Sequence, residues 1–215
     1  MKTRERILQA SLQLFNEQGE RAVTTNHIAA HLGISPGNLY YHFRNKQQIV
    51  TELFGRYEAQ VDDYLRVPEG RALSLEDKAH YLESIFRGLW DYRFFLRDLE
   101  HLLSADPDLA ERYRQFSRRC VNSGRAIYQG LAEAGILDAE RTDPEVLAVN
   151  SWLLMTSWIS FVYTSVLDAD QSELTPALLR RGVYQVLAQE LGLLTEQARP
   201  AVEAMLAEYY APLGC

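Results

Sequence analysis

Two short helical patterns, separated by only three residues, lie in the N-terminal quarter of this chain and constrain its fold more than any other feature. Apolar side chains recur at helical spacing in both patterns: Ile28, Ala29 and Leu32 in the first, and Leu39 and Phe43 in the second. Apolar residues three and four positions apart share one face of a helix, so each pattern predicts a short amphipathic helix. A connection this short turns the second helix sharply against the first, and the small side chain of Ala29 permits a close crossing.

The residues between the two patterns are types that end one helix and begin the next. Gly33 can adopt the left-handed backbone conformation that ends a helix, and Ser35 followed by Pro36 is a strong N-cap and first-turn pair. The layout is that of a helix-turn-helix, whose second helix enters the major groove of DNA. Hydrogen-bonding or backbone-exposing residues fill the rest of that helix: Gly37, Asn38, Tyr40, Tyr41 and His42.

These positions, in order and spacing, resemble the signature of the TetR family. The matching residues are Ile28, Ala29, Gly33, Ile34, Ser35, Leu39, Tyr40, Tyr41, His42, Phe43 and Lys46, and upstream Ile7, Leu8, Ala10, Leu14, Phe15 and Gly19 are similar to its first helix and the following turn. The resemblance covers roughly residues 1–50. It implies an all-α fold, with an N-terminal three-helix DNA-binding domain at residues 1–50. A C-terminal helical bundle at residues 51–215 would then bind a ligand and dimerise.

The same resemblance implies which residues contact DNA. It places Ser35, Tyr41, His42 and Lys46 on phosphates, and Gly37, Asn38 and Tyr40 on base edges. Thr24 and Thr25, at the start of the first helix of the helix-turn-helix, are positioned to hydrogen-bond phosphate. Asn38 can pair both its donor and its acceptor with an adenine edge. The alternative is that Tyr40 and Tyr41 pack inside a generic small domain, although neighbouring residues point about 100° apart on a helix.

Arginine is absent between Ile34 and Phe43, so the strongest guanine contact is missing from this helix. Contacts with guanine or with the minor groove would come from residues outside this helix: Arg44, Lys46, Lys2 and Arg4.

The charge of the chain is unevenly distributed between its two ends. Residues 1–50 contain six Lys/Arg and three acids, a charge of +3 that leaves −10 for the remainder of a chain with formal charge −7. A basic end can meet phosphate while an acidic body orients its approach.

An uncharged stretch at residues 146–167 is long enough to cross a bilayer. Its seven polar residues and acidic flanks favour instead a helix enclosed by other helices on several sides, and a membrane span is the alternative. Cys120 and Cys215 are too few for a disulfide framework and suit a reducing cytoplasm. The chain opens on a charged amphipathic helix rather than a signal peptide, so we expect a cytoplasmic protein.

Helical patterns continue through the body, and aromatic residues crowd into three of them. Because the family uses its body to bind small molecules, we expect an apolar or aromatic effector to contact Phe86, Trp90, Tyr113, Phe116, Trp152, Met155 and Trp158. The alternative for each is ordinary core packing.

A single recognition helix contacts few bases, so affinity and specificity require two, one in each half of a palindrome, and we expect a homodimer. The resemblance implies an interface on the last long helices, with Leu178, Leu179, Val183, Val186 and Leu187 as its apolar face. Packing of that face within its own chain is the alternative.

Two spacings allow a rival metal hypothesis, because His80 with Glu83 and Asp98 with His101 each put a histidine one turn from a carboxylate. A carboxylate-bridged site would need two Glu-x-x-His helices, and here one pair is reversed and the other has Asp. Phosphate loops, Ser-His-Asp sets and cysteine clusters are also missing, so the sequence predicts neither enzyme nor cofactor. It predicts a repressor that a small hydrophobic ligand releases from a palindromic operator. The alternative is an activator or architectural DNA-binding protein without an effector.

Overall fold

The computed structural model describes residues 2–167 and 173–213, and within them the regular elements are helices apart from one isolated bridge. The α-helices in chain order are α1 Thr3–Gln18, α2 Thr25–Leu32, α3 Pro36–His42, α4 Lys46–Tyr64, α5 Leu75–Asp91, α6 Arg93–Arg97, α7 Leu99–Ala105, α8 Pro107–Glu133, α9 Pro144–Ser165, α10 Pro176–Ala188 and α11 Arg199–Glu208. A short 3-10 helix, Leu191–Leu193, follows α10. The predicted all-α fold is confirmed. Cys215 lies outside the described residues.

The chain divides into two compact units. The head unit comprises Met1–Gln60 and Asp91–Gln115, and the body unit comprises Val61–Trp90 and Phe116–Cys215. The head unit therefore contains α6 and α7 in addition to the helices of residues 1–50.

Aromatic packing builds the core of the head unit. The rings of Phe15 and Phe94 lie 5.3 Å apart between centroids, and those of Phe54 and Phe95 stack at 4.9 Å. Tyr113 joins them, 6.0 Å from Phe95. Four of these side chains are almost completely buried, and aromatic pairs at such distances stabilise a fold beyond the area they bury. The N-terminal helices are thus anchored on residues from the α6–α8 region of the chain.

A break at Asp98 separates α6 from α7, where the periodicity alone suggests one helix. The carboxylate of Asp98 accepts a hydrogen bond from the backbone N–H of Glu20 at 3.0 Å. Beside it, Nη2 of Arg97 donates to the carbonyl of Phe15 at 2.7 Å. These two side chains satisfy backbone groups where α1 ends and the next segment begins.

Apolar residues from α5, α8, α9, α10 and α11 form the core of the body unit. A chain of polar groups runs through it. Lys78 donates to one carboxylate oxygen of Glu190, and the hydroxyl of Tyr128 donates to the other at 3.0 Å. Ser151 hydrogen-bonds the same tyrosine at 2.6 Å and accepts from Nε2 of Gln189 at 2.8 Å. Burial, followed by the Glu190 charge, raises the pKa of Tyr128 well above its ordinary value, so its hydroxyl keeps the proton that it donates.

Helix α9 is the one helix of the described residues that is long and apolar enough to cross a membrane by length and composition. Only 33% of the most apolar 18-residue stretch of α9 is buried. The single chain therefore does not enclose this helix on several sides, as the sequence suggested. One face stays open: Val146 and Leu153 are 52% and 55% exposed, and Val149 and Phe161 are also exposed. The helix is apolar nearly all round, although its own chain covers only part of that surface.

Candidate nucleic-acid interface and effector site

Side-chain caps fix the first helix of the helix-turn-helix. Thr24 precedes α2, and its hydroxyl accepts the backbone N–H of His27 at 3.2 Å while Nδ1 of His27 accepts the N–H of Thr24 at 3.4 Å. Together these bonds satisfy two of the amide groups that a helix start leaves without partners. Gly33 ends α2 with φ 64° and ψ 31°, the left-handed conformation that glycine adopts without strain.

Helix α3 is the recognition helix predicted from the sequence. The hydroxyl of Ser35 accepts the backbone N–H of Asn38 at 3.2 Å, and Pro36 occupies the first turn. Leu39 is fully buried and Phe43, at the end of the helix, is 2% exposed. These two side chains anchor one face of α3 in the head unit and leave the opposite face to solvent.

The residues expected to contact DNA lie on or beside that open face. Thr24, Ser35, Gly37, Asn38, Tyr40 and Tyr41 are exposed, and Thr25 and His42 are half-buried. Tyr41 is 84% exposed, so packing of both tyrosines in a core is excluded. The hydroxyls of Tyr40 and Thr25 lie 3.0 Å apart and join the recognition helix to the start of α2.

Lys46 is placed differently from the other expected contacts. Its ammonium donates to the carbonyls of Glu20 at 2.8 Å and Val23 at 3.0 Å, and pairs with the Glu20 carboxylate at 2.7 Å. A lysine has three N–H donors, and all three have acceptors inside the head unit. Lys46, the first residue of α4, therefore also ties that helix to the segment that joins α1 to α2.

Among the arginines of the head unit, Arg4 and Arg56 form ion pairs with carboxylates. Arg4, considered above for guanine or minor-groove contact, pairs with Glu52, and its guanidinium lies 4.8 Å from the centre of the Phe43 ring. Arg44 is exposed immediately after α3. On α4, Arg56 pairs with Glu5 at 2.7 Å and thereby holds the pKa of that carboxyl below its usual value. Local sequence could not reveal these pairs, since α1 supplies one partner and α4 the other.

The residues expected around an effector are distributed over both units. Phe116 and Trp152 meet edge to face at 5.8 Å between α8 and α9. Met155, one turn after Trp152 on α9, and Trp90, on α5, are half-buried in the body unit. Phe86, on α5, lies 5.0 Å below the guanidinium of Arg180. Tyr113 belongs to the head unit and packs there against Phe54 and Phe95.

Trp158 has a structural role in the core. Its indole N–H donates to the carbonyl of Leu178 at 2.8 Å. A Cβ atom added to Gly182 would lie 2.6 Å from Cδ1 of the indole, so the ring sits directly on the α10 backbone. With its donor used and its face covered, Trp158 joins α9 to α10 rather than lining an open site.

The apolar face expected at a dimer interface is also internal. The five residues Leu178, Leu179, Val183, Val186 and Leu187 are each 4% exposed or less within the single chain. A side chain already buried in its own chain cannot be covered by a partner, so this interface prediction is corrected. Four exposed apolar residues lie on α9 instead: Val146, Val149, Leu153 and Phe161.

The rival metal hypothesis gains no geometric support. Across residues 2–167 and 173–213, no cluster of three or more His, Cys, Asp or Glu side chains is arranged to hold a metal ion. Glu83 accepts the hydroxyl of Tyr209 at 2.7 Å, and Asp98 accepts the Glu20 N–H. Both carboxylates of the proposed pairs therefore have structural partners.

Comparison with known proteins agrees with this arrangement. Residues 7–53 match the model of bacterial regulatory proteins of the tetR family, and residues 56–202 match the TetR model of bacterial transcriptional repressors. The transcriptional repressor KstR2 of Mycobacterium tuberculosis H37Rv is 39% identical over 164 residues, which cover 73% of this chain and 78% of that protein.

Solved structures show the same likeness. A TetR-family regulator from Marinobacter aquaeolei VT8 is 48% identical, with a TM-score of 0.87 over 98% of this chain and 100% of the other. A putative regulator from Saccharomonospora viridis in complex with choline shares the fold at 18% identity, with a TM-score of 0.66 over 90% of this chain and 98% of that one.

An all-α chain with a capped helix-turn-helix, an exposed recognition helix and a separate helical body is a DNA-binding transcriptional regulator. The matched family models and relatives make the assignment specific: this chain belongs to the TetR family. Members of this family are transcriptional regulators.

Proposed function

We propose that this chain is a cytoplasmic, homodimeric repressor that binds a palindromic operator and is released from it by a small apolar or aromatic ligand. The observation that carries the proposal is the recognition helix: Leu39 anchors it, while Asn38, Tyr40 and Tyr41 stand exposed on the other side. Such a helix can enter a major groove without rearranging the head unit.

The proposed interface with DNA divides into two kinds of contact. Gly37, Asn38 and Tyr40 face the bases, and Thr24, Thr25, Ser35, Tyr41 and His42 face phosphates. Hydroxyl and imidazole donors position the protein on the backbone, whereas the amide of Asn38 can specify a base. The net positive charge of residues 1–50 favours this orientation.

Asn38→Ala is expected to lose about 1–3 kcal/mol of binding on the operator while changing affinity for random-sequence DNA little, because a bidentate base contact carries sequence information. The measurement is a fluorescence-anisotropy titration with the duplex that the wild-type protein selects from a random pool, and with a scrambled duplex. Gln13→Ala, on the exposed side of α1, is the matched control. An equal loss on both duplexes would show that Asn38 does not read a base.

A homodimer is proposed to form through the exposed face of α9. Val146, Val149, Leu153 and Phe161 lie along this helix, and exposed apolar residues that share a helix face mark an interaction site. Two copies of α9 and its neighbour α10 would form a four-helix bundle across the dyad. Because Leu178 and the rest of its apolar set are internal, α10 would contribute support rather than the contact surface.

The effector is proposed to bind in the body unit beside the Phe116–Trp152 pair. The two rings, one set across the edge of the other, offer an apolar surface, and half-buried Met155 follows Trp152 on α9. A structural neighbour was solved in complex with choline, which supports small-molecule binding by a protein of this fold. Trp158 is left out of the proposed wall because its N–H and ring are already engaged.

An apolar ligand that fills this site is expected to raise the melting temperature of the free protein and to weaken operator binding. By linkage, a hundredfold loss of operator affinity requires a hundredfold weaker ligand affinity in the DNA complex, a coupling of about 2.7 kcal/mol. A thermal-shift screen of hydrophobic compounds, followed by operator-release titrations, provides the measurement. Trp152→Ala should abolish the shift, whereas Trp158→Phe should retain it.

An activator or architectural protein without an effector is the second candidate. Hits that stabilise the protein and leave operator affinity unchanged would favour it, since an effector must bind the free and DNA-bound forms differently. Operator release by a hit, lost in Trp152→Ala, would exclude it.

A further inference from the structure

We propose that Glu52 limits the sequence-independent part of DNA affinity by holding the guanidinium of Arg4 in an ion pair, an inference that rests on the DNA-binding function proposed above. The two terminal nitrogens of Arg4 donate to the Glu52 carboxylate, one to each oxygen. The Arg4 side chain is nevertheless 50% exposed, so a phosphate could bind it if the carboxylate released it. Glu52 therefore competes with DNA for this cation.

Arg4 lies close to the end of the recognition helix. Its guanidinium is 4.8 Å from the centre of the Phe43 ring, and Phe43 directly follows α3. Arg4 and His42, one of the proposed phosphate contacts, line the same groove, which has a volume of about 860 Å³ and is also lined by Asn45 and Gln48. A DNA strand that meets His42 would therefore lie within reach of the long Arg4 side chain once that side chain is released.

A network of alternating charges fixes Glu52 in this position. Arg56, one turn later on α4, lies 3.5 Å from a Glu52 oxygen and donates two hydrogen bonds of 2.7 Å to Glu5. These bonds hold the pKa of Glu5 below its usual value, so the Glu5 carboxyl stays ionised and retains Arg56. The network joins α1 to α4. Because its two arginines balance its two acids, this patch beside the recognition helix carries no net charge.

Removal of the Glu52 charge would leave Arg56 paired with Glu5 and would release Arg4. Each phosphate that a cation neutralises contributes about 0.9 to the slope of log affinity against log salt. A phosphate contact carries no sequence information, so operator and random DNA should gain alike. An exposed ion pair contributes little to stability, so a protein that lacks it should keep its fold.

The test measures affinity and salt slope for wild type, Glu52→Gln, Arg4→Met and the double variant, on the selected duplex and on its scrambled form. Glu52→Gln should bind both duplexes roughly fivefold to tenfold more tightly at about 0.1 M salt and should steepen the slope by about 0.9. Arg4→Met should keep the wild-type slope, because the cation it removes is already paired. The double variant should keep that slope as well, because it has no released arginine.

Glu17→Gln is the matched control, because it removes the same charge from a carboxylate on α1 that accepts a hydrogen bond from Gln13 instead of an arginine. Its salt slope should equal that of wild type. An unchanged slope in Glu52→Gln would overturn the proposal, and so would a steeper slope that persists in the double variant. A reduced slope in Arg4→Met would also overturn it, since Arg4 would then already bind phosphate in the wild-type complex.

Thermal melts check that each variant folds, and if Glu52→Gln does not fold, the slope of Arg4→Met decides the question. A wild-type protein that selects no duplex would instead contradict the DNA-binding function itself, before any variant is compared.

Discussion

Lys78→Met is expected to lower the free energy of unfolding by about 3–5 kcal/mol, because it leaves the carboxylate of Glu190 buried without its cation. Both side chains are 4% exposed or less, so water cannot replace the lost partner. The same carboxylate is the final acceptor in the chain of hydrogen bonds through Tyr128 and Ser151, so its protonation or displacement in the variant would weaken that chain. Urea unfolding followed by tryptophan emission measures the loss.

Two controls separate the buried charge from the substitution itself. The double variant Lys78→Met with Glu190→Gln removes both charges and keeps an acceptor for Tyr128, so it should recover at least half of the lost stability. Lys2→Met, an exposed lysine near the N-terminus, should change stability by less than about 0.5 kcal/mol. A Lys78→Met protein as stable as wild type would show that the ion pair contributes nothing net.

Leu153→Asp is expected to convert the proposed homodimer to folded monomers and to reduce operator affinity by a factor on the order of 10³, approaching the affinity of non-specific binding. Leu153 is 55% exposed on α9 within the single chain, so the charge is tolerated in the monomer and is unfavourable only when a partner covers it. Sedimentation gives the oligomeric state, and anisotropy with the selected duplex gives the affinity.

The matched control places the same charge on an exposed apolar residue elsewhere. Val67, between α4 and α5, is exposed, and Val67→Asp should remain dimeric and bind the operator as wild type does. Leu187→Asp is the opposite control, because Leu187 is fully buried and its charge should unfold the body unit. A Leu153→Asp protein that sediments as a dimer would move the interface away from this face of α9.

The sequence was most informative where the determining interactions are local. Ser35 and Pro36 indicate the start of α3, and Gly33 indicates the end of α2, because caps and turns involve residues only a few positions apart. The exposed positions of α3 follow directly from the helical repeat.

Interactions between distant segments could not be derived in this way. Asp98, at the break between α6 and α7, accepts a hydrogen bond from a residue 78 positions away, and the Lys78–Glu190 pair joins residues 112 positions apart. Helical periodicity contains no record of either partner. The same limit explains the interface: an apolar face on α10 and another on α9 look alike in sequence, and only tertiary packing shows which of them its own chain covers.

The recognition helix has only seven residues, yet its geometry is fixed at both ends before any DNA is present. Ser35 caps its start, Leu39 anchors its middle, and the hydroxyl pair of Tyr40 and Thr25 ties it to α2. An isolated helix of this length would be largely unfolded in water. The conformational entropy of this helix is lost when the head unit folds, so little more is lost when the protein binds DNA. Operators with different sequences should therefore differ mainly in how long the bound complex persists, with similar rates of encounter.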